Sequence, residues 1–292
     1  MRRVVKRFAN YELEYLLQPG KWMGLAEMLN LKTRLDHVNE TSGHNLKYGI
    51  FEPSIDHNKM KDFFTRCNFC VMFLEGEAVG FFYNVMLDEK TVPAIHAGLV
   101  MIARNQGVDL LRVPYAYMAL LQRKEYGDYY YTNISSTPSI IGTFGDLFSD
   151  VWPNYRGNLI RPPNKQYVHV LSLLTKEYVD RYFPKDRIEI DQKRFVMRSP
   201  QKEMGFEQNP RKLSRYHKLE ANLFCIYWLD YSKGEDIVQV GRVDFKFTVR
   251  LGVQLFLLNL WDSITRPFSK KKVPVPITQG AQRQSADQSK AA

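Results

Sequence analysis

The sequence predicts an α/β fold. Apolar residues recur at helical spacing over residues 22–39. Three runs rich in aromatic and β-branched residues follow between 68 and 102, separated by turn residues. After a glycine at 107 the pattern returns to helix, strand, helix. The 17 tyrosines and 18 phenylalanines favour β structure and broad apolar contacts.

Taken in order, residues 22–39 read as an amphipathic helix with Trp22, Leu25, Met28, Leu29 and Leu35 near one face, and 58–65 as a short second helix. Residues 68–74 (NFCVMFL) are apolar on both faces, as in a central strand. Glu75-Gly76-Glu77 is a tight-turn signal, so 79–87 is the partner strand of a hairpin, with 92–102 as a third strand. Residues 108–126 carry a helical pattern that contains Pro114, where a helix must kink or restart. A strand over 128–134 precedes Thr137-Pro138, an N-cap followed by proline at the first helical position, which opens a helix to about residue 148.

Residues 151–164 (VWPNYRGNLIRPPN) read as a domain-edge loop. Beyond them, 167–174, 194–198 and 222–229 read as strands, 231–236 as a turn, and 246–264 as an amphipathic segment. Thr175 caps a short helix that Pro184 stops, and the last dozen or so residues have the composition of a disordered tail. The expected organisation is a first domain over 1–164, a second α/β region over 165–265 and a basic tail over 266–292.

The chain has 292 residues and a formal net charge of +10. Between 241 and 292, nine Lys or Arg stand against three Asp. This asymmetry points to an anionic partner, and a peripheral membrane contact through the basic C-terminus is one expectation. No nucleic-acid motif is visible, so no nucleic-acid partner is predicted. Three cysteines make no disulfide framework, and neither a signal peptide nor a spanning stretch is visible, which predicts a cytoplasmic location. Cys67-x-x-Cys70 lacks the further ligands of a zinc site and reads as strand core, so no metal is predicted.

The order helix, helix, three strands, glycine turn, helix, strand, helix over roughly 20–150 resembles the GNAT superfamily of N-acyltransferases. That resemblance implies a mixed, mostly antiparallel twisted sheet flanked by helices. It also implies a loop patterned Arg/Gln-x-x-Gly-x-Gly/Ala whose amides and following helix hold the pyrophosphate of an acyl-CoA. The matching positions are Arg104, Asn105, Gln106, Gly107, Val108 and Asp109. Arg104 and Gly107 fit, whereas Asp109 stands where Gly or Ala is usual and would repel a phosphate it faced.

Met101 and Ile102, at the preceding strand end, would hold the pantetheine arm, with Asn133 at the end of the next strand also in the donor site. Family members often carry a tyrosine acid on the helix after that strand. Phe144 stands at about that place here, which leaves Tyr131 or Ser136 as nearby replacements. His96 is the candidate base, because its ordinary pKa suits removal of a proton from an amine. Period-2 alternation would put it on one face with Gly98, Val100 and Ile102. Glu75 and Glu77 read instead as turn charges.

The function this predicts is transfer of an acyl group from a thioester donor, acyl-CoA or acyl carrier protein, to a small-molecule amine. Carrier protein enters because it presents one phosphate and an acidic surface to a basic chain. The alternative is a non-catalytic module of the same fold that binds a ligand or partner.

Overall fold

The computed structural model describes residues 2–8, 10–47, 49–88, 91–103, 112–148, 150–157, 162–182, 188–198, 209 and 212–253. The chain opens on a hairpin of β1 (Arg3–Phe8) and β2 (Tyr11–Leu17). β1 is the outermost strand, and its exposed Arg3, Lys6 and Arg7 discourage further strand addition.

In α1 (Leu25–Ser42), Glu27 turns back to accept from the Gly24 amide at 3.0 Å, and Gly43 closes the helix at φ 79°. Met28, Leu31, Leu35 and Val38 bury its inner stripe. α2 (His57–Arg66) starts where the Asp56 carboxylate accepts from the amides of Asn58 and Lys59, both at 2.9 Å. Those amides, Lys59 first, hold the Asp56 pKa below its ordinary value.

An antiparallel meander follows: β3 (Cys67–Leu74), β4 (Glu77–Asp88) and β5 (Ala94–Ile102). Glu75 (φ 52°) and Gly76 (φ 87°) are both left-handed, as the two-residue hairpin turn between β3 and β4 requires. Cys67 and Cys70 are three apart in a strand and so face opposite sides, each in a different core cluster. α3 (Arg112–Tyr126) crosses back to β6 (Tyr129–Ser135), and α4 (Pro138–Leu147) follows with Thr137 at its N-cap. Pro114 sits in the first turn of α3, where a missing N–H breaks no helical bond.

The remaining elements are β7 (Val151–Trp152), α5 (Lys165–Leu174), a π-helical turn over Thr175–Val179 leading into α6 (Asp180–Tyr182), β8 (Ile190–Asp191), β9 (Val196–Arg198), α7 (Leu219–Trp228) and β10 (Glu235–Val243). A last helix begins at residue 245. The sheet runs β1-β2-β3-β4-β5-β6-β10-β9-β8, with β7 also on β10, and β5–β6 is its parallel pair. One face packs on α1, α2 and α5, the other on α3, α4 and α7.

The structure revises the sequence reading beyond residue 164. Residues Met1–Leu251 form one compact unit, because β10 pairs with β6 over seven residues and extends the same sheet. No boundary falls at 164/165. Residues 167–174 and 222–229, expected as strands, are helical. Their aromatic and β-branched content favours strands, but other features decide for helix. Asn164 caps α5 through the Gln166 amide at 3.0 Å, and α7 is apolar on every side, so its periodicity is hidden. Residues Gly252–Ala292 form a second unit, and the expected tail over 266–292 lies outside the described residues. Among the described residues no helix is long and apolar enough to cross a membrane.

Because β10 ties the two halves of the chain together, Ile237→Ala, at a fully buried β10 position, is expected to lower stability by about 2–5 kcal/mol. Differential scanning calorimetry should show the main transition moving as a whole. Two transitions with only one of them shifted would restore a boundary near 164.

Candidate functional site

β5 and β6 run parallel but pair over only three positions: Ala94 with Tyr130, Ile95 with Tyr131, and His96 with Thr132. Beyond His96, β5 continues for six residues with β4 on one edge and, among the described residues, no strand on the other. Ala97 to Val100 are accordingly half-exposed, between buried His96 and buried Met101. β6 continues through Asn133 to Ser135, held on its other edge by β10 as it is from Tyr129 onward. A wedge therefore opens between the carboxyl ends of two parallel strands, the place where open α/β sheets take ligands. One wall is an unpaired strand edge that presents main-chain N–H and C=O groups.

A β-bulge marks the same point. Asn84 pairs with Ala97 and Phe82 with Val100, so β5 carries one residue more than β4 between them. Gly98 lies in this bulge, where a Cβ would come within 2.4 Å of the Tyr83 ring. The bulge also reverses the facing of the residues after it. His96 shares its face with Ala94, while Val100 and Ile102 join the opposite core, so the shared face expected from simple alternation is corrected.

The structure locates five of the predicted site residues. His96 is fully buried, with Nδ1 3.0 Å from Thr132 Oγ1 and its ring centroid 4.3 Å from that of Tyr178. Burial pulls its pKa down to about 3, so the ring is neutral at physiological pH. Tyr131 lies on the other face, donates to Asn84 Oδ1 at 2.7 Å and stacks on Phe144; burial pushes its pKa well up. Met101 and Ile102 turn their side chains into opposite cores. The Ala103 amide donates to Val79 O at 2.9 Å, so Met101, in the same phase, turns its main chain to β4 and Ile102 turns its main chain to the other edge. Asn133 follows the last β5–β6 pair directly. Its buried Nδ2 has no hydrogen-bond partner among the described residues, which normally costs about 1–3 kcal/mol. Arg104, Asn105, Gln106, Gly107, Val108 and Asp109 lie outside the described residues.

Thr132, Asn84 and Gly98 complete the site, and the sequence reading did not select them. Only Gly98 carried a usable signal, since an isolated glycine inside a strand pattern suggests a bulge. Thr132 and Asn84 matter through cross-strand neighbours that single-strand patterning does not contain. Among the described residues no group of three metal-ligating side chains is present. A surface cleft of 550 Å3 lined by Arg3, Arg7, Glu12, Glu14 and Arg34 lies at the β1 edge, four strands from β5.

No family model matches the chain, and no curated protein matches it. Among solved structures, an aminoglycoside acetyltransferase from an uncultured soil metagenomic sample is similar over 41% of this chain and 76% of its own, with 12% identity and a TM-score of 0.30. A probable acetyltransferase of the GNAT family from Chromobacterium violaceum is similar over 44% and 67%, with 16% identity and a TM-score of 0.26. Both likenesses are partial. The fold stated above rests on the strand order and register of this chain.

Thr132→Val keeps the side-chain shape and leaves His96 Nδ1 unpaired, and is expected to cost about 1–3 kcal/mol in chemical denaturation. The pH dependence has a definite sign. His96 titrates near 3 when folded against an ordinary 6.5, so between those values the unfolded chain binds the extra proton. Its contribution to stability is complete above 6.5 and is lost as pH falls towards 3, by about 1.4 kcal/mol per pH unit. His96→Gln should flatten this slope in urea melts across that range; an unchanged slope would assign it to other groups.

Proposed function

We propose that this chain transfers an acyl group from a thioester donor to an amine, with the donor arm lying in the wedge between β5 and β6. The observation that carries the reading is the unpaired β5 edge with the orphaned Asn133 amide beside it. A pantetheine arm is an extended chain with two amides, and an open strand edge recognises such a chain through main-chain hydrogen bonds. The backbone of Ile102 supplies that edge, Met101 anchors it to β4, and Asn133 Nδ2 donates to a carbonyl of the arm. Residues 104–109 would meet the donor phosphates through backbone amides, as the GNAT resemblance implies.

The bound donor supplies an activated acyl carbon: the amine nitrogen bonds to it, the C–S bond breaks, and the thiolate takes up the proton the amine loses. The bulge at Gly98 leaves main-chain groups outside the β4 ladder at the head of the wedge, where a carbonyl oxygen gaining charge would be held. Acyl-CoA fits a site of this kind, and an acyl carrier protein is the other donor the basic chain would suit.

A second reading, a binding module without turnover, draws on a specific observation. His96 and Tyr131 are buried, and Phe144 cannot donate a proton, so these three residues expose no acid or base to the wedge. Under the transfer reading, solvent or the substrate amine carries the proton.

Isothermal calorimetry with acetyl-CoA, a long-chain acyl-CoA and acyl carrier protein tests donor binding. At least one is expected to bind, and Asn133→Ala should weaken it roughly three- to tenfold, the worth of one hydrogen bond. No binding by any of the three would overturn the transfer reading. Binding with no thiol release across an amine panel would select the module.

A further inference from the structure

We infer that the surface around residues 245–250 docks on an anionic lipid bilayer. In this helix Phe247 and Leu251 are buried, while Phe245 is 65% and Val249 49% exposed, one turn apart. Lys246 and Arg250 are the residues next in sequence to them and are exposed as well. Phe247 stacks on Phe148 with centroids 5.0 Å apart, which holds the helix against the end of α4 and turns the Phe245–Val249 stripe outward. Arg123 lies over the Phe245 ring at 5.7 Å. Asp128 binds both Arg123, at 3.1 Å, and Arg242, at 3.5 Å, and so gathers these cations beside the apolar stripe.

The balance of charge selects the partner. Arg123, Arg242, Lys246 and Arg250 ring the stripe, against Asp128 between two of them and Asp244, which caps the helix through the Phe247 amide at 2.9 Å. The whole chain carries +10, and the sequence continues with apolar residues to Trp261 and then Lys270-Lys271-Lys272. Exposed aromatic and aliphatic side chains with adjacent Lys and Arg are the chemistry of a helix lying in a lipid interface. The apolar groups enter the acyl boundary, and the cations meet phosphate and carboxylate headgroups. A second copy of the chain would bring the same positive charges together and be repelled.

The test is co-sedimentation of the full chain with phosphatidylcholine vesicles, with and without about 30% phosphatidylserine. Binding is expected only with phosphatidylserine, and it should weaken as salt rises. Lys246→Glu/Arg250→Glu should lower the partition coefficient by at least about 25-fold, near fivefold for each cation removed. Phe245→Ser/Val249→Ser should also lower it, with thermal melting unchanged for both variants because all four side chains are exposed. Failure to bind anionic vesicles would overturn the inference. So would binding that the two double variants leave intact while Lys270→Glu/Lys271→Glu/Lys272→Glu abolishes it. A concentration-dependent dimer that Phe245→Ser/Val249→Ser disrupts would assign the stripe to a second copy and overturn it equally.

Discussion

The hydrogen bond between His96 and Thr132 sits where the architecture divides. It joins the side chains of the last residue pair that β5 and β6 share. On one side of this point the two strands are neighbours in a continuous sheet. On the other side they separate, and the backbone groups of β5 have no strand to pair with. A buried imidazole without a partner would be costly, so the pair is held at this register. The bulge centred on Gly98 begins immediately after it and sends β5 away with its facing reversed. The wedge is therefore a consequence of register: one clasp, one extra residue, and two strands with different remaining partners.

That geometry demands support from elsewhere in the chain. β6 is held on its other edge by β10, more than a hundred residues later in sequence, over its whole length from Tyr129 to Ser135. β10 has an apolar face under α5 and another under α4 and α7, and Gly241 lets Phe144 and Phe148 approach its backbone closely. Phe144 thus serves the packing of α4 on the sheet, where it also stacks on Tyr131. The aromatic content of the chain is distributed in this way over both cores.

The first half was largely legible. α1, α2, the β3–β4 hairpin, β5, β6 and α4 follow the spacing of apolar residues, the Glu75-Gly76-Glu77 turn and the Thr137-Pro138 start. The helices and strands of the order that carries the GNAT resemblance are present in the structure, and the glycine turn among them lies outside the described residues. Legibility failed where a segment is apolar on all sides, as in α7, or where strand-forming residues sit behind a helix cap, as in α5. β1 and β10 were missed because a charged edge strand and a strand next to a turn lack a clean alternating signature. Of the site, Met101, Ile102 and Asn133 were selected from sequence and border the wedge. His96 was selected for its pKa in water, a quantity that burial changes completely.

The sequence by itself determined local matters: which segments form helices and hairpins, where turns fall, and that positive charge gathers towards the C-terminus. These depend on neighbours within a few residues. Tertiary structure alone decided that the chain through Leu251 is one unit, that β5 and β6 part after the His96–Thr132 pair, and that the Asn133 amide has no partner among the described residues. The physical reason is that hydrogen-bond satisfaction and strand pairing are relations between distant residues. A side chain's chemistry is settled only when its partners, or their absence, are known.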